Sequence, residues 1–194
     1  ADAPQGSAQG YYPRNQIGWY RARVQIPQQM RGRALTLWFD ALMQDSQVWI
    51  NGHLLGRRPY GYVPVIEPID AWVRFGAENT IAVRLDCTCG GDRWYSGAGM
   101  IRSAYLLDEP KMHLQPFGLA VTPQVDADWS GAQVLSAVRW QNDADQPFEG
   151  QLELTLTDPQ GNCCARLSQT VRALPGQQGQ TDFSARIEQA MLWS

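Results

Sequence analysis

Apolar and polar residues alternate with a period of two along much of the chain. Residues 20–26, 35–39 and 81–85 all follow this pattern. Such alternation is typical of strands that bury one face in an antiparallel sheet. Asn51-Gly52 separates the stretches 47–50 and 53–55, and this pair tolerates the positive φ angles of a type I′ turn. The pattern therefore predicts strands, with a tight hairpin at Asn51-Gly52.

A second series of alternating stretches follows. They span 134–140, 152–156 and 167–171, and turn-forming residues separate them at 142–145, 158–162 and 175–176. Residues 181–192 also carry a helical apolar stripe, and a strand is favoured over a helix there. Short strands with frequent turns predict an all-β chain of sandwiches or barrels.

The charge pattern changes near residue 110. Residues 1–110 carry 11 basic and 10 acidic side chains, whereas residues 111–194 carry 5 and 9. Asp108-Glu109-Pro110-Lys111 lies at the change, and no long linker accompanies it. The sequence therefore predicts two β domains, 1–110 and 111–194. A chain of 194 residues can bury two such cores without disulfides or metal ions.

Composition excludes several functional classes. Charged residues make up 18% of the chain and aromatic residues 10%, which indicates a folded protein and not a disordered one. The net charge of −3 offers no basic face to nucleic acid or to an anionic membrane, so we expect neither partner. No apolar run is long enough to predict a membrane span. The compartment stays open, since periplasm, cell exterior and cytoplasm all agree with these data.

The four cysteines form two close pairs, Cys87 with Cys89 and Cys163 with Cys164. Neither pair has the spacing that tetrahedral zinc sites favour. Residues this close in sequence rarely reach disulfide geometry. We therefore expect free thiols, no metal and no cofactor.

The richest candidate for chemistry is the segment from Asp92 to Arg102. It combines Asp92 and Arg93 with the rings of Trp94 and Tyr95 and with two glycines. Carboxylates accept hydrogen bonds from sugar hydroxyls, and aromatic faces cover the apolar side of a pyranose. Asp92 is the best candidate, whereas ion pairing of Arg93 and Arg102 or a core position for Trp94 are alternatives.

A second candidate is the loop Arg57–Pro64, which follows the hairpin. Tyr60 and Tyr62 on this Gly- and Pro-containing loop suit contact with a carbohydrate, but they would suit packing on a neighbouring domain equally well. The chain has no phosphate-binding loop, no nucleophile elbow and no Cys–His pair at an interpretable spacing. Nothing places two carboxylates at the separation that glycoside hydrolysis needs. We therefore assign no catalytic residue.

Several blocks of the first predicted domain resemble, in order and spacing, the N-terminal half of glycoside hydrolase family 2, the β-galactosidase group. The blocks are 18–21, 39–40, 48–56, 58–62, 76–84 and 93–102. Residues 113–194 resemble the immunoglobulin-like second domain of the family. The resemblance implies a jelly-roll sugar-binding β-sandwich followed by an immunoglobulin-like β-sandwich. A (β/α)₈ barrel with the catalytic glutamates would follow; such a barrel takes about 250 residues and is not part of these 194. The first jelly-roll strands are also expected to be missing.

The resemblance also implies a role for Asp92. Some family members carry an aspartate at this position, where it contacts hydroxyls of the sugar in the −1 subsite. Met43 stands where some β-galactosidases have a substrate-binding asparagine, and Gly91-Asp92 stands where many relatives have Asn-Ser. These departures leave the sugar specificity open.

The sequence thus predicts a non-catalytic N-terminal part of a family 2 glycosidase of the β-galactosidase type. It would brace the barrel of the same chain and contact a β-galactoside or a related glycoside. The predicted sugar-binding residues are Asp92, Arg93, Trp94, Tyr95, Tyr60 and Tyr62. A homo-oligomer is compatible with this, because apolar surface left without a barrel favours burial. The alternatives are a free-standing lectin-like module and an immunoglobulin-like scaffold without a ligand.

Overall fold

A computed structural model describes residues 16–88, 99–100 and 102–188. The chain divides into two compact units, the first up to Glu109 and the second from Pro110. The described residues form β-strands and a single 3₁₀ turn at Gln28–Met30, so the predicted all-β class is confirmed. None of the described residues belongs to a helix long and apolar enough to span a membrane.

Strands account for most of the described residues in both units. In the first unit they are β1 (Ile17–Ile26), β2 (Ala34–Phe39), β3 (Leu42–Met43), β4 (Ser46–Ile50), β5 (His53–Arg58), β6 (Val65–Pro68), β7 (Ala77–Asp86), β8 (Gly99–Met100) and β9 (Ala104–Glu109). In the second unit they are β10 (Met112–Val125), β11 (Gly131–Asn142), β12 (Phe148–Thr157), β13 (Cys163–Ala173) and β14 (Gln178–Glu188).

The first unit is a β-sandwich. One sheet has the strand order β1-β7-β4-β5 and the other has β6-β2-β9, and all neighbouring strands are antiparallel. The core is built from the apolar faces of both sheets: Leu35 and Leu37 of β2 pack in one cluster with Val48 of β4 and Leu85 of β7, all at most 3% exposed. The alternation in the sequence therefore marks the faces that meet in this core.

The predicted hairpin at Asn51-Gly52 is confirmed. Asn51 has φ 50° and Gly52 has φ 87°, the positive values that a type I′ turn requires, and β4 and β5 pair on either side of it. The Asn51 side chain then fixes the turn to its surroundings, because Nδ2 donates to Trp72 O at 3.0 Å and Oδ1 accepts from Thr80 N at 3.0 Å.

Asn79 is the polar centre of the same region and is fully buried. Its Oδ1 accepts hydrogen bonds from Arg74 N and from Asn51 Nδ2, each at 2.7 Å. Its Nδ2 donates to Arg74 O and to Ala77 O, each at 2.9 Å. A buried amide is tolerated when all its donors and acceptors are used. Asn79 therefore ties the loop before β7 to the hairpin.

The second unit is also built of antiparallel strands. One sheet has the order β10-β11-β14, and β12 pairs with β13. The core is small and centres on Trp140, Val171 and Ala173, and Trp140 Nε1 donates to Thr181 Oγ1 at 3.0 Å. The preference for a strand in 181–192 is confirmed as far as Glu188; the remaining residues of that stretch lie outside the described ones.

Candidate sugar-binding site

Four of the six predicted sugar contacts, Asp92, Arg93, Trp94 and Tyr95, lie outside the described residues. The structure does describe the residues that flank this segment, and it describes Tyr60 and Tyr62. The neighbourhood of the candidate site can therefore be built from its two flanks and from the tyrosine loop.

The N-terminal flank is the end of β7, where the Asp86 side chain accepts hydrogen bonds from neighbouring residues. Its carboxylate accepts hydrogen bonds from Thr88 Oγ1 at 2.5 Å, from Thr88 N at 3.1 Å and from Arg84 Nη2 at 2.7 Å. These hydrogen bonds favour the ionised carboxylate, and the one from the Thr88 side chain has the largest effect. The pKa of Asp86 therefore falls to about 2. Asp86 N donates to Gln44 O at 3.0 Å, which holds this flank against the residues that follow β3.

The C-terminal flank is β8, and it pairs with β3. Gly99 lies opposite Met43, and Met100 lies opposite Leu42. Met100 N donates to Tyr20 Oη at 3.1 Å. The buried thiol of Cys87 donates to Met43 O at 3.6 Å, and its burial raises the pKa of the thiol. Both flanks of the segment 89–98 therefore adjoin β3.

The tyrosine loop packs on the same short strand. Gly61 is buried against it, and a Cβ at that position would lie 3.0 Å from Met43 Cα, so only glycine permits this approach. Asp45 N donates to Pro59 O at 3.2 Å. The Arg57 guanidinium makes two hydrogen bonds of 2.7 Å to the Asp45 carboxylate and thereby lowers its pKa.

Tyr60 and Tyr62 point away from the core. They are 57% and 44% exposed, and their ring centroids are 5.6 Å apart with the planes tilted by 56°. Two exposed rings at an angle offer apolar faces and two hydroxyls to a ligand such as a pyranose. Residues 42–45 therefore bring the tyrosine loop and both flanks of the segment 89–98 to one edge of the first unit. Sequence reasoning missed this role for Gln44, Asp45 and Asp86, because only the strand pairing reveals it.

Other predicted features have simpler outcomes. Arg102 is exposed, so the alternative of a buried ion-pair partner is wrong for this residue. Cys87, Cys163 and Cys164 are free thiols, as predicted, and Cys89 lies outside the described residues. Among residues 16–88, 99–100 and 102–188, no three His, Cys, Asp or Glu side chains group together as a metal ion would require.

Acidification is expected to destabilise the first unit through Asp86. Its pKa is about 2 in the folded state against an ordinary value of 3.8, so its stabilising contribution is complete above the ordinary value and is lost as the pH falls toward 2. The urea midpoint of the first unit should therefore decrease between about pH 4 and about pH 2. Asp86→Asn should flatten this decrease; the same slope in wild type and variant would contradict the assignment.

Glu67 affects the pH dependence of stability in the opposite direction to Asp86. Burial raises the pKa of this carboxyl, and the Arg58 charge only partly compensates. Protonation of Glu67 therefore favours folding, and this gain appears as the pH falls through the raised pKa. Glu67→Gln should remove that gain while leaving the loss due to Asp86, which separates the two groups in the same titration.

Comparison with known proteins identifies relatives of this chain. No protein-family model matches the chain. The chain is 28% identical over 191 residues to the beta-galactosidase BoGH2A of Bacteroides ovatus, which covers 98% of this chain and 22% of that protein. It therefore spans about a fifth of the length of this curated relative.

The chain also resembles part of several solved structures. A glycosyl hydrolase family 2 member from Bacteroides cellulosilyticus superposes with a TM-score of 0.83 and 28% sequence identity, over 92% of this chain and 24% of that one. A beta-glucuronidase from Bacteroides uniformis superposes with a TM-score of 0.87 over 97% of this chain and 24% of that one, and at 23% identity it shows the fold alone. In its sequence and its β-sandwich fold, the chain is thus similar to members of glycoside hydrolase family 2.

Proposed function

We propose that the chain is the N-terminal, non-catalytic part of a family 2 glycosidase of the β-galactosidase type. The observation that carries this proposal is the edge of the first unit, where residues 42–45 bring together the exposed tyrosine loop and both flanks of the segment 89–98. The share of its relatives that the chain covers, 22% and 24%, agrees with a part of a longer enzyme.

At this edge, Asp92, Arg93, Trp94 and Tyr95 would contact the sugar together with Tyr60 and Tyr62. A carboxylate such as that of Asp92 would accept hydrogen bonds from sugar hydroxyls and fix the orientation of the ring. This contribution lowers the barrier by positioning the substrate, and bond cleavage falls to carboxylates of a barrel domain. We therefore assign no catalytic residue to the chain.

An apolar stripe on the second unit supports the proposal that further polypeptide meets this chain. Leu119, Val121 and Val125 lie on one face of β10 and are 41–54% exposed. Their partners on β11 include Val138 and Ala132, which are each 4% exposed. Apolar side chains that continue a buried face into solvent gain free energy when another segment covers them. Bracing of a barrel, or a homo-oligomer, would use such a surface.

The proposal predicts that the 194-residue chain alone does not hydrolyse nitrophenyl β-D-galactoside or nitrophenyl β-D-glucuronide. The test is a long incubation at high protein concentration, with heat-denatured protein as the blank. Turnover above the blank that copurifies with the folded chain would contradict the proposal.

A free-standing lectin-like module is the second candidate, and the exposure of Tyr60 and Tyr62 favours it. It predicts heat on titration of the chain with galactose or lactose, at a dissociation constant of about 1 mM, and loss of that heat in Tyr60→Ala. The first proposal predicts no measurable heat, because the pocket needs another domain to complete it. Titration of wild type and Tyr60→Ala side by side decides between the two.

A further inference from the structure

The outer face of the sheet β1-β7-β4-β5 carries a stacked pair of tryptophans. The indole rings of Trp19 on β1 and Trp49 on β4 have centroids 5.3 Å apart and planes 29° apart. The two strands flank β7, and Ala82 of β7 lies opposite Trp49 in the register. Because Ala82 has only a methyl group, the two indoles can meet above β7.

This pair lies in a partly apolar surface that stays in contact with solvent. Trp19 is 53% exposed, Leu54, directly opposite Trp49, is also 53% exposed, and Ile17, two residues before Trp19, is 46% exposed. The apolar face of an exposed indole ring can cover the C–H side of a sugar ring. The surface therefore has the apolar half of a carbohydrate-binding site.

The polar half is Arg21, which lies on the same strand face as Trp19 and opposite Ala82. Other arginines of this face form ion pairs with acids, measured from a guanidinium nitrogen to a carboxylate oxygen. The distance is 3.7 Å for Arg23–Glu78 and 2.7 Å for both Arg84–Asp86 and Arg57–Asp45. Arg21 is exposed and pairs with no acid in the part of the chain that the structure describes. Its charge thus stands beside the tryptophan pair without a described counterion.

We propose that Trp19, Trp49 and Arg21 form a binding surface for an oligosaccharide that carries a carboxylate, such as one with uronate residues. The stacked indoles cover the ring faces of the sugar, and the Arg21 guanidinium donates two parallel hydrogen bonds to the carboxylate. A planar guanidinium fits a carboxylate better than a neutral hydroxyl, so the surface prefers acidic over neutral sugars. The surface uses none of the residues of the proposed pocket, so the two proposals stand or fall separately.

The test is titration of the 194-residue chain with a hyaluronan hexasaccharide, followed in ¹H–¹⁵N NMR spectra, with chitohexaose as the neutral probe of equal length. We expect the acidic probe to bind with a dissociation constant of about 1 mM or lower and to shift the amides and indole signals of β1 and β4. Arg21→Gln should weaken it about tenfold, and raising the salt concentration should weaken it further.

Matched variants show whether the effects are specific to Arg21 and to the Trp19 ring. Arg23→Gln lies two residues from Arg21 on the same strand face and should change the affinity less than about twofold, because Arg23 is already near Glu78. Trp19→Ala should abolish binding, and Trp19→Phe should restore part of it if the ring face is what matters. Absence of binding, equal binding of the neutral probe, or unchanged affinity in Arg21→Gln would overturn the proposal.

Discussion

Asn79→Asp is expected to unfold the first unit far below the wild-type temperature. The substitution keeps the shape of the side chain but replaces the Nδ2 donor with an oxygen, which would face Arg74 O and Ala77 O at about the present 2.9 Å. It also places a carboxylate at a position with 0% exposure. Loss of two hydrogen bonds and burial of an unpaired charge should cost about 3–5 kcal/mol. For a unit of this size, that lowers the melting temperature by about 15 °C or more.

Hydrogen exchange measures this effect unit by unit. The amides of β1, β4 and β7 should lose protection in Asn79→Asp, while those of β11 and β14 keep theirs. Asn142→Asp is the matched control: Asn142 is also 0% exposed, and its Nδ2 donates to Gln146 O and Leu174 O in the second unit. In Asn142→Asp, the amides of β11 and β14 should lose protection, while those of β1, β4 and β7 keep theirs. Wild-type protection of β7 in Asn79→Asp would show that the Asn79 network contributes little.

In the longer glycosidase that we propose, Asp92→Ala is expected to lower kcat/KM by about 10- to 100-fold. The basis is the loss of charged hydrogen bonds to sugar hydroxyls, each worth about 1.5–3 kcal/mol. Asp92→Asn should lose less, because the amide still offers an oxygen acceptor and keeps its size. The variants are compared on nitrophenyl β-D-galactoside and nitrophenyl β-D-glucuronide, with kcat and KM determined separately.

Asp145→Ala is the control for this prediction. Asp145 is an exposed acid of the second unit and belongs to none of the elements that build the candidate site, and its removal should leave kcat/KM unchanged. Equal kcat/KM in wild type and Asp92→Ala, on every substrate that the enzyme cleaves, would remove Asp92 from the sugar pocket.

The strands could be predicted because their signal is local. The alternation in β2 and β7 follows directly from one buried face, and the positive φ values at Asn51 and Gly52 follow from the turn chemistry of that dipeptide. Residues 181–188 were ambiguous in period, and pairing of β14 with β11 resolves the ambiguity. Local patterns thus suffice for the elements and for the all-β class.

Long-range contacts could not be predicted in this way. Asn51 and Asn79 fall in two of the blocks that resemble the family, yet only the fold shows that their side chains meet at 2.7 Å. The same holds for Met43, which was notable only as a departure from a substrate-binding asparagine and proves to be the support for Gly61 and the partner of Gly99. Because such contacts join residues that are distant in sequence, neither period nor spacing reveals them.

We propose that this chain contributes to glycoside hydrolysis as a non-catalytic part of a longer enzyme. The most direct test measures hydrolysis of nitrophenyl β-D-galactoside by three purified proteins: the 194-residue chain, the protein translated from the whole reading frame, and that protein with Asp92→Ala. We expect no turnover by the first, clear turnover by the second and a rate reduced about 10-fold or more for the third. Turnover by the 194-residue chain alone, or a whole protein that cleaves no glycoside, would contradict it.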